Sequence, residues 1–345
     1  MAGRRYRVAQ WATGTIGRYA LRGVIEHPEL ELAGVYVYGA DKVGRDAGEL
    51  CGLDSTGVVA TGSIEAILAA EADCVLYMPA VLDVDEVCRL LAAGVNVVTT
   101  CGQFHHPAGM DAGLRARIEQ ACAAGGTSIH STGSSPGFIS EALPLVLTSV
   151  QRRLTGLRID EYADLSRRDS PEMLFGHMGF GRPAAQFEQA RADYLRSSFG
   201  PSLRLVADTV GLSLDAVTAT GELATAARTV QIAAGTLPAG TVAAQRIVVA
   251  GIRDGATLMS FRATWYCTTE LEQDWDLAPT GWHVAVDGDA PLDVAVRMPV
   301  PLERMAEVSP AYTANRAVNL VAAVCAAAPG IRSGVDLPLA APVLG

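Results

Sequence analysis

A strand, Arg7–Trp11, runs directly into Ala12-Thr13-Gly14-Thr15-Ile16-Gly17, and a helical pattern follows over Ile16–Glu26. The loop is G-x-G-x-x-G with alanine in the first position. Small residues there permit a tight turn, close backbone approach to a bound group, and close packing of helix on strand. The free N–H groups and partial positive charge of the helix N-terminus then suit a pyrophosphate. A tight strand-to-helix turn without a ligand is the alternative. Its place inside a βαβ pattern favours a dinucleotide.

Strand and helix patterns alternate over about the first 145 residues. Apolar runs at Glu31–Tyr38, Cys74–Met78, Val95–Thr100 and Thr127–Ser131 lack the period-two alternation of a half-exposed sheet. Between them, Ser63–Ala70, Asp83–Ala93 and Ala112–Ala124 carry apolar residues at helical spacing. Such strands belong to a parallel sheet covered on both faces, so residues 1–145 are expected to form an α/β, doubly wound Rossmann domain.

The second half differs. A strand-like Leu157–Tyr162 precedes two polar helical stretches, near Pro171–Met178 and Pro183–Phe199, and then β-rich runs fill Val230–Val300. Asp254-Gly255 and Asp287-Gly288 read as two-residue hairpin turns, whose central residues take positive φ. The expectation is an α+β domain with an antiparallel sheet over 146–305. A helix, Tyr312–Ala327, lies in a closing segment, 306–345, that returns to the first domain.

Half of the 345 residues are hydrophobic and 19% are charged, enough for a large core and too apolar for a disordered chain. Lys+Arg is 27 against Asp+Glu 37, a net charge of -10 that argues against nucleic-acid and anionic-membrane partners. The charge-free stretches Gln120–Ser140 and Ala317–Ile331 are broken by polar residues, Gly or Pro, so no membrane span is expected. The basic start, Gly3–Arg7, lacks the apolar run of a signal peptide, and the seven cysteines are scattered with no C-x-x-C pair. Both point to a reducing cytoplasm.

A chain preferring NAD carries Asp or Glu about twenty residues past the loop, for the ribose 2′-OH. Here the second strand ends Val37-Tyr38-Gly39-Ala40, followed by Asp41 and by Lys42, the sole lysine. Lys42 with Arg45 suits the 2′-phosphate of NADP, while NAD stays open through Asp41. Ligands of doubly wound sheets bind beyond the carboxyl ends of the strands. Three such ends have small or rigid residues: Pro79 after Tyr77-Met78, Thr100 and Cys101 after Thr99, and Ser134-Ser135-Pro136-Gly137-Phe138 after Ser131. These are candidates for the nicotinamide end, with Tyr38 as a further cofactor contact and Asn319 as a nicotinamide contact from the closing helix.

For chemistry, Gln103 stands just past a strand end, where a neutral amide orients a carbonyl or imine without moving a proton. The adjacent His105 and His106 lack the spacing of a metal set, and no metal is expected. Phe138, and in the second domain Tyr162, Met173 and His177, are candidates to line a substrate pocket.

The loop Ala12–Gly17, Gly44-Arg45-Asp46-Ala47-Gly48, Asn96-Val97-Val98-Thr99-Thr100, Gly133–Phe138 and Pro329-Gly330 occur in order along nearly the whole chain. Together they resemble the actinobacterial branch of the dihydrodipicolinate-reductase-like proteins. That branch is similar to 2,4-diaminopentanoate dehydrogenase and the native amine dehydrogenases. The resemblance implies a homodimer with a Rossmann domain and a sheet domain. It also implies NAD(P)-dependent interconversion of a ketone plus ammonia with a primary amine. The His-His-x-x-Lys and Lys-x-Asp-Ala-Pro-Ser-Gly-Thr runs of true dihydrodipicolinate reductases are absent, which excludes lysine biosynthesis. The resemblance further implies a proton-transferring Glu where this chain has Gln103. An ammonia-independent carbonyl or imine reductase, a catalytically impaired Glu-to-Gln form at position 103, or a cofactor-binding sensor therefore stands as the alternative.

Overall fold

The structure is a computed structural model that describes residues 5–184 and 187–343. The basic start before Arg5, residues 185–186 of the second polar stretch and the last two residues lie outside the described residues. Five strands appear in the first part: β1 (Tyr6–Trp11), β2 (Leu30–Tyr36), β3 (Cys74–Tyr77), β4 (Asn96–Thr99) and β5 (Ser128–Ser131). Eight follow in the second part: β6 (Leu154–Asp164), β7 (Ala216–Thr225), β8 (Val230–Ile232), β9 (Gly235–Leu237), β10 (Val242–Arg253), β11 (Ala256–Tyr266), β12 (Gly281–Gly288) and β13 (Leu292–Arg297). The last, β14 (Gly330–Arg332), belongs to the first sheet.

That sheet runs β14-β5-β4-β3-β1-β2, every pairing parallel. Neighbouring residues of one strand feed opposite cores, which is why its sequence shows no alternation. Val8, Leu76 and Val98 pack on one face with Val24, Val318 and Val321. Ala9, Val75 and Val97 pack on the other with Ile67, Leu91 and Ile118. Each side chain of this size contributes about 1.5–3 kcal/mol over its exposed state. Because the strands are parallel, their carboxyl ends share one edge, and the loops at residues 12–17, 37–46, 78–83, 100–111 and 132–138 gather there.

The second sheet runs β13-β12-β6-β11-β10-β7 and is mixed rather than wholly antiparallel, because β6 and β11 pair parallel. The helix Gln189–Thr209 lies within the long crossover between them and covers one face, stacking Phe199 on Phe261 at 3.7 Å. Residues up to Phe138 and from Ser309 onward form one compact unit, and Ile139–Val308 form the other.

Several local expectations change. Asp254 and Gly255 do make the expected turn, with φ of 50° and 75°. Asp287 and Gly288 instead lie inside β12, opposite Gly156 and Leu154, and the reversal follows them. A Cβ at Gly288 would sit 2.3 Å from the Arg153 carbonyl oxygen, so this glycine serves strand approach rather than a turn. Pro183 bridges to Thr241, and the helix expected from it begins at Gln189 and continues through Pro201 to Thr209. The closing helix begins earlier than Tyr312, at Leu302, with Pro310 buried inside it, and ends at Asn319 before a second helix, Val321–Ala326.

Candidate functional site

The phosphate loop leaves β1 through Ala12, which holds φ 68°. This left-handed conformation costs a non-glycine residue about 1–2 kcal/mol. Buried Gln10 holds the turn from below, its Nε2 donating to the carbonyls of Trp11, Ala12 and Leu76 at 3.2, 2.9 and 3.3 Å. Gln10 is a support of this turn that the motif alone does not mark. Gly17 is forced, since a Cβ there would meet the Ala12 carbonyl oxygen at 2.1 Å. At Gly14 the same Cβ would meet nothing within 4 Å, so the loop is open where a phosphate approaches.

The helix that follows, Thr15–Glu26, has no side-chain cap and no acidic residue in its first turn. By contrast, the helices beginning at Ala47, Ile64, Val84 and Ala112 are capped by Asp46, Ser63, Asp83 and Asp111. The N–H groups of the first helix thus remain available to an anion. Lys42 reaches back to this loop, its Nζ 3.3 Å from both the carbonyl oxygen and Oγ1 of Thr13. Arg45 instead pairs with exposed Glu49 at 2.8 Å. The Lys42–Arg45 loop is shaped by Asp46, whose carboxylate accepts from the Thr56, Gly48 and Gly57 amides and the Ser55 hydroxyl. Those bonds, Thr56 first, hold its pKa down at about 2.

Past β2 and β3, Tyr38 accepts from the Trp11 indole N–H at 3.0 Å and donates to Glu86 at 2.9 Å. Partial burial, helped by the Glu86 carboxylate, pushes the Tyr38 phenol up to about 12. The loop after β4 is fixed at two points. Thr99 Oγ1 donates to the Tyr77 carbonyl and accepts from Cys101 N–H, at 2.7 and 3.0 Å. Ser131 Oγ donates to the Cys101 carbonyl and accepts from Phe104 N–H, at 2.5 and 3.2 Å. Thr100 lies between Thr99 and Cys101, and Cys101 Sγ lies 3.8 Å from the Pro79 carbonyl oxygen; burial pushes this thiol up. Gln103 sits exposed between these anchors. His105 and His106 are buried in the same loop, and among the described residues no group of three His, Cys, Asp or Glu is placed to hold a metal.

After β5, the Ser134–Ala142 stretch is broken by non-helical backbone at Ser135, Pro136 and Gly137. Ser134 is tied to Thr313 Oγ1 through its N–H and its hydroxyl, at 3.2 and 2.7 Å. Phe138 lies 5.8 Å from the Arg316 guanidinium. Asn319 is the half-buried last residue of its helix. In the second unit, the Tyr162 hydroxyl accepts from Arg262 at 3.1 Å, and Met173 packs against the buried cluster that holds Leu174 and Phe180. His177 is exposed, 3.7 Å from Glu172. Beside Tyr162, Glu161 accepts from the indoles of Trp265 and Trp282, at 3.2 and 2.9 Å.

Sheet order, open glycine loop and uncapped helix together define a Rossmann-type, NAD(P)-binding fold. Residues 138–345 match the family described as the 2,4-diaminopentanoate dehydrogenase C-terminal domain, and residues 11–115 match the dihydrodipicolinate reductase N-terminus. The chain belongs to the 2,4-diaminopentanoate dehydrogenase family, and with it to the oxidoreductases. It is 29% identical to an amine dehydrogenase of Streptomyces virginiae, over 95% of both chains. It is 22% identical to 2,4-diaminopentanoate dehydrogenase of Acetoanaerobium sticklandii, over 76% of this chain and 71% of that one. Its fold matches the amine dehydrogenase structure from Mycobacterium smegmatis with a TM-score of 0.77 at 18% identity, covering 98% and 97% of the two chains.

Proposed function

We propose that this protein is an NAD(P)H-dependent amine dehydrogenase that reductively aminates a small, mostly apolar ketone or aldehyde with ammonia. The full-length similarity to amine dehydrogenase carries this reading. Ammonia adds to the carbonyl carbon, water leaves with the carbonyl oxygen, and the resulting imine carbon accepts hydride. The bound dinucleotide supplies that hydride.

In this reading Ala12, Thr13, Gly14, Thr15, Ile16 and Gly17 hold the pyrophosphate. Lys42, seated on Thr13, favours the 2′-phosphate of NADP, with Arg45 beside it once released from Glu49. Tyr38 serves the adenosine end. Pro79, Thr100, Cys101, Ser134, Ser135, Pro136 and Asn319 serve the nicotinamide end, while Phe138, Tyr162, Met173 and His177 serve the substrate. Gln103 takes the place of the acid/base. Its amide orients the carbonyl and leaves proton movement to water. We further propose a cytoplasmic homodimer. The resemblance supports the dimer, and the seven free thiols support a reducing compartment.

The neutral Gln103 favours a second reading, reduction of a carbonyl or imine without ammonia. NADPH oxidation over a panel of ketones and aldehydes, with and without ammonia, separates them. Ammonia-dependent turnover with amine as product supports the first reading. Equal rates without ammonia, yielding alcohol, support the second and overturn the first.

A further inference from the structure

The carboxyl ends of β1, β2 and β3 meet in an aromatic cluster with one carboxylate. Trp11 stacks on Tyr36 at 3.8 Å and 11°, and Tyr36 meets Tyr38 edge-on at 5.1 Å and 84°. The hydroxyls of Tyr38 and Tyr77 both donate to the same oxygen of Glu86, Oε2, at 2.9 and 2.7 Å. The other oxygen, Oε1, has no hydrogen-bond or ion-pair partner among the described residues.

Glu86 does not cap its helix, because Asp83 already takes the free N–H groups of Asp85 and Glu86. It is a carboxylate fixed along one edge by two phenols, with acceptor lone pairs left on the other. Such an edge recognises a donor, and an ionised acceptor binds one more strongly than a neutral acceptor does. Tyr38 is 55% exposed, and an aromatic face accepts a stacked base whatever its sequence identity. The two side chains meet from the loop after β2 and from the first turn of the helix Val84–Ala92 that follows β3. In a doubly wound fold the pyrophosphate lies at the helix after β1 and the adenosine runs toward the end of β2. A flat π-system carrying an N–H donor is the matching ligand.

We propose that Tyr38 and Glu86 form an adenine-reading subsite, in which Glu86 Oε1 accepts from the exocyclic amino group of the cofactor's base. The subsite rests on dinucleotide binding. It does not depend on which carbonyl compound is reduced.

The test is equilibrium binding, by calorimetry and tryptophan quenching, of NADPH and its hypoxanthine analogue to the full chain and to Glu86→Gln. Hypoxanthine replaces the amino donor by a carbonyl acceptor and leaves the rest of the molecule unchanged. The unaltered protein is expected to bind the adenine form at least about tenfold more tightly, a difference of about 1.4 kcal/mol. In Glu86→Gln the amide oxygen takes the two phenols and its NH₂ faces the base, so the preference should invert toward hypoxanthine. Equal affinities in the unaltered protein overturn the proposal, whatever the variant does. An unchanged ratio in a folded Glu86→Gln also overturns it and leaves Glu86 a purely structural anchor. Equal loss of both forms assigns Glu86 to the ribose, which overturns it too. Binding of neither nucleotide to the unaltered protein would instead remove the dinucleotide reading beneath it.

Discussion

Two glycines of one loop, three residues apart, serve different ends. Gly17→Ala drives a methyl group into the Ala12 carbonyl oxygen, so the variant should lose about 1–3 kcal/mol in thermal or urea unfolding. Gly14→Ala meets only open space. It should melt like the unaltered protein while binding NADPH about tenfold more weakly, because the new methyl group occupies the phosphate approach. A Gly14→Ala protein that unfolds early but binds normally would reverse these roles. Lys42 yields a second residue-scale expectation. A hydrogen bond to a charged group is worth about 1.5–3 kcal/mol, so Lys42→Gln should weaken NADPH binding at least about tenfold and leave NADH nearly unchanged. Measured by calorimetry, that gap should narrow as salt rises. If NADH suffers equally, Lys42 serves the pyrophosphate rather than the 2′-phosphate. Of the residues considered, the phosphate loop was legible because its glycines act locally. Gln10 and Glu86 were not, because a buried amide and a half-buried carboxylate gain meaning only when distant strands bring their partners to them.

At the scale of elements, the helix after β1 is uncapped while those beginning at Ala47, Ile64, Val84 and Ala112 are capped, which points the end of β1 toward an anion. The Gly44–Gly48 run, quoted above as a family motif, has a structural basis. Asp46 caps the helix at Ala47 and gathers the Ser55–Gly57 turn, and a Cβ at Gly48 would strike the Asp54 carbonyl oxygen at 1.9 Å. The folded pKa of Asp46, about 2, lies below its ordinary 3.8. Its stabilisation is therefore fully present above the ordinary value and lost as pH falls through about 2. Melting temperatures of the unaltered protein and Asp46→Asn should differ by a constant amount above about pH 5 and converge as pH falls through that window. A gap that persists undiminished to the lowest pH would contradict the assignment. The parallel sheet was readable from its unalternating strands, and the Asp254-Gly255 hairpin from its turn chemistry. The parallel β6–β11 pairing was not, because nearly a hundred residues separate the partners and local pattern carries no record of them. β14 was missed because three residues are too few to show a period. Pro201 and Pro310 each lie inside a helix that runs past the expected bounds at Phe199 and Tyr312.

For the whole molecule, two units divide the chain, and both carry the family's stamp: the dinucleotide fold in one, the longer family match mostly over the other. The function proposed above turns on one atom-level difference, an amide at 103 where the resemblance implies a carboxyl group. General acid–base catalysis is typically worth about 10²–10⁴-fold, so the amide should limit the rate of amination without touching cofactor affinity. The most direct test is ammonia-dependent NADPH oxidation by this chain and by Gln103→Glu, with NADPH affinity measured alongside. The account predicts that the glutamate variant gains two or more orders of magnitude in ammonia-dependent turnover at unchanged NADPH affinity. An inert glutamate variant, beside an unaltered protein that reduces carbonyls without ammonia, would contradict it.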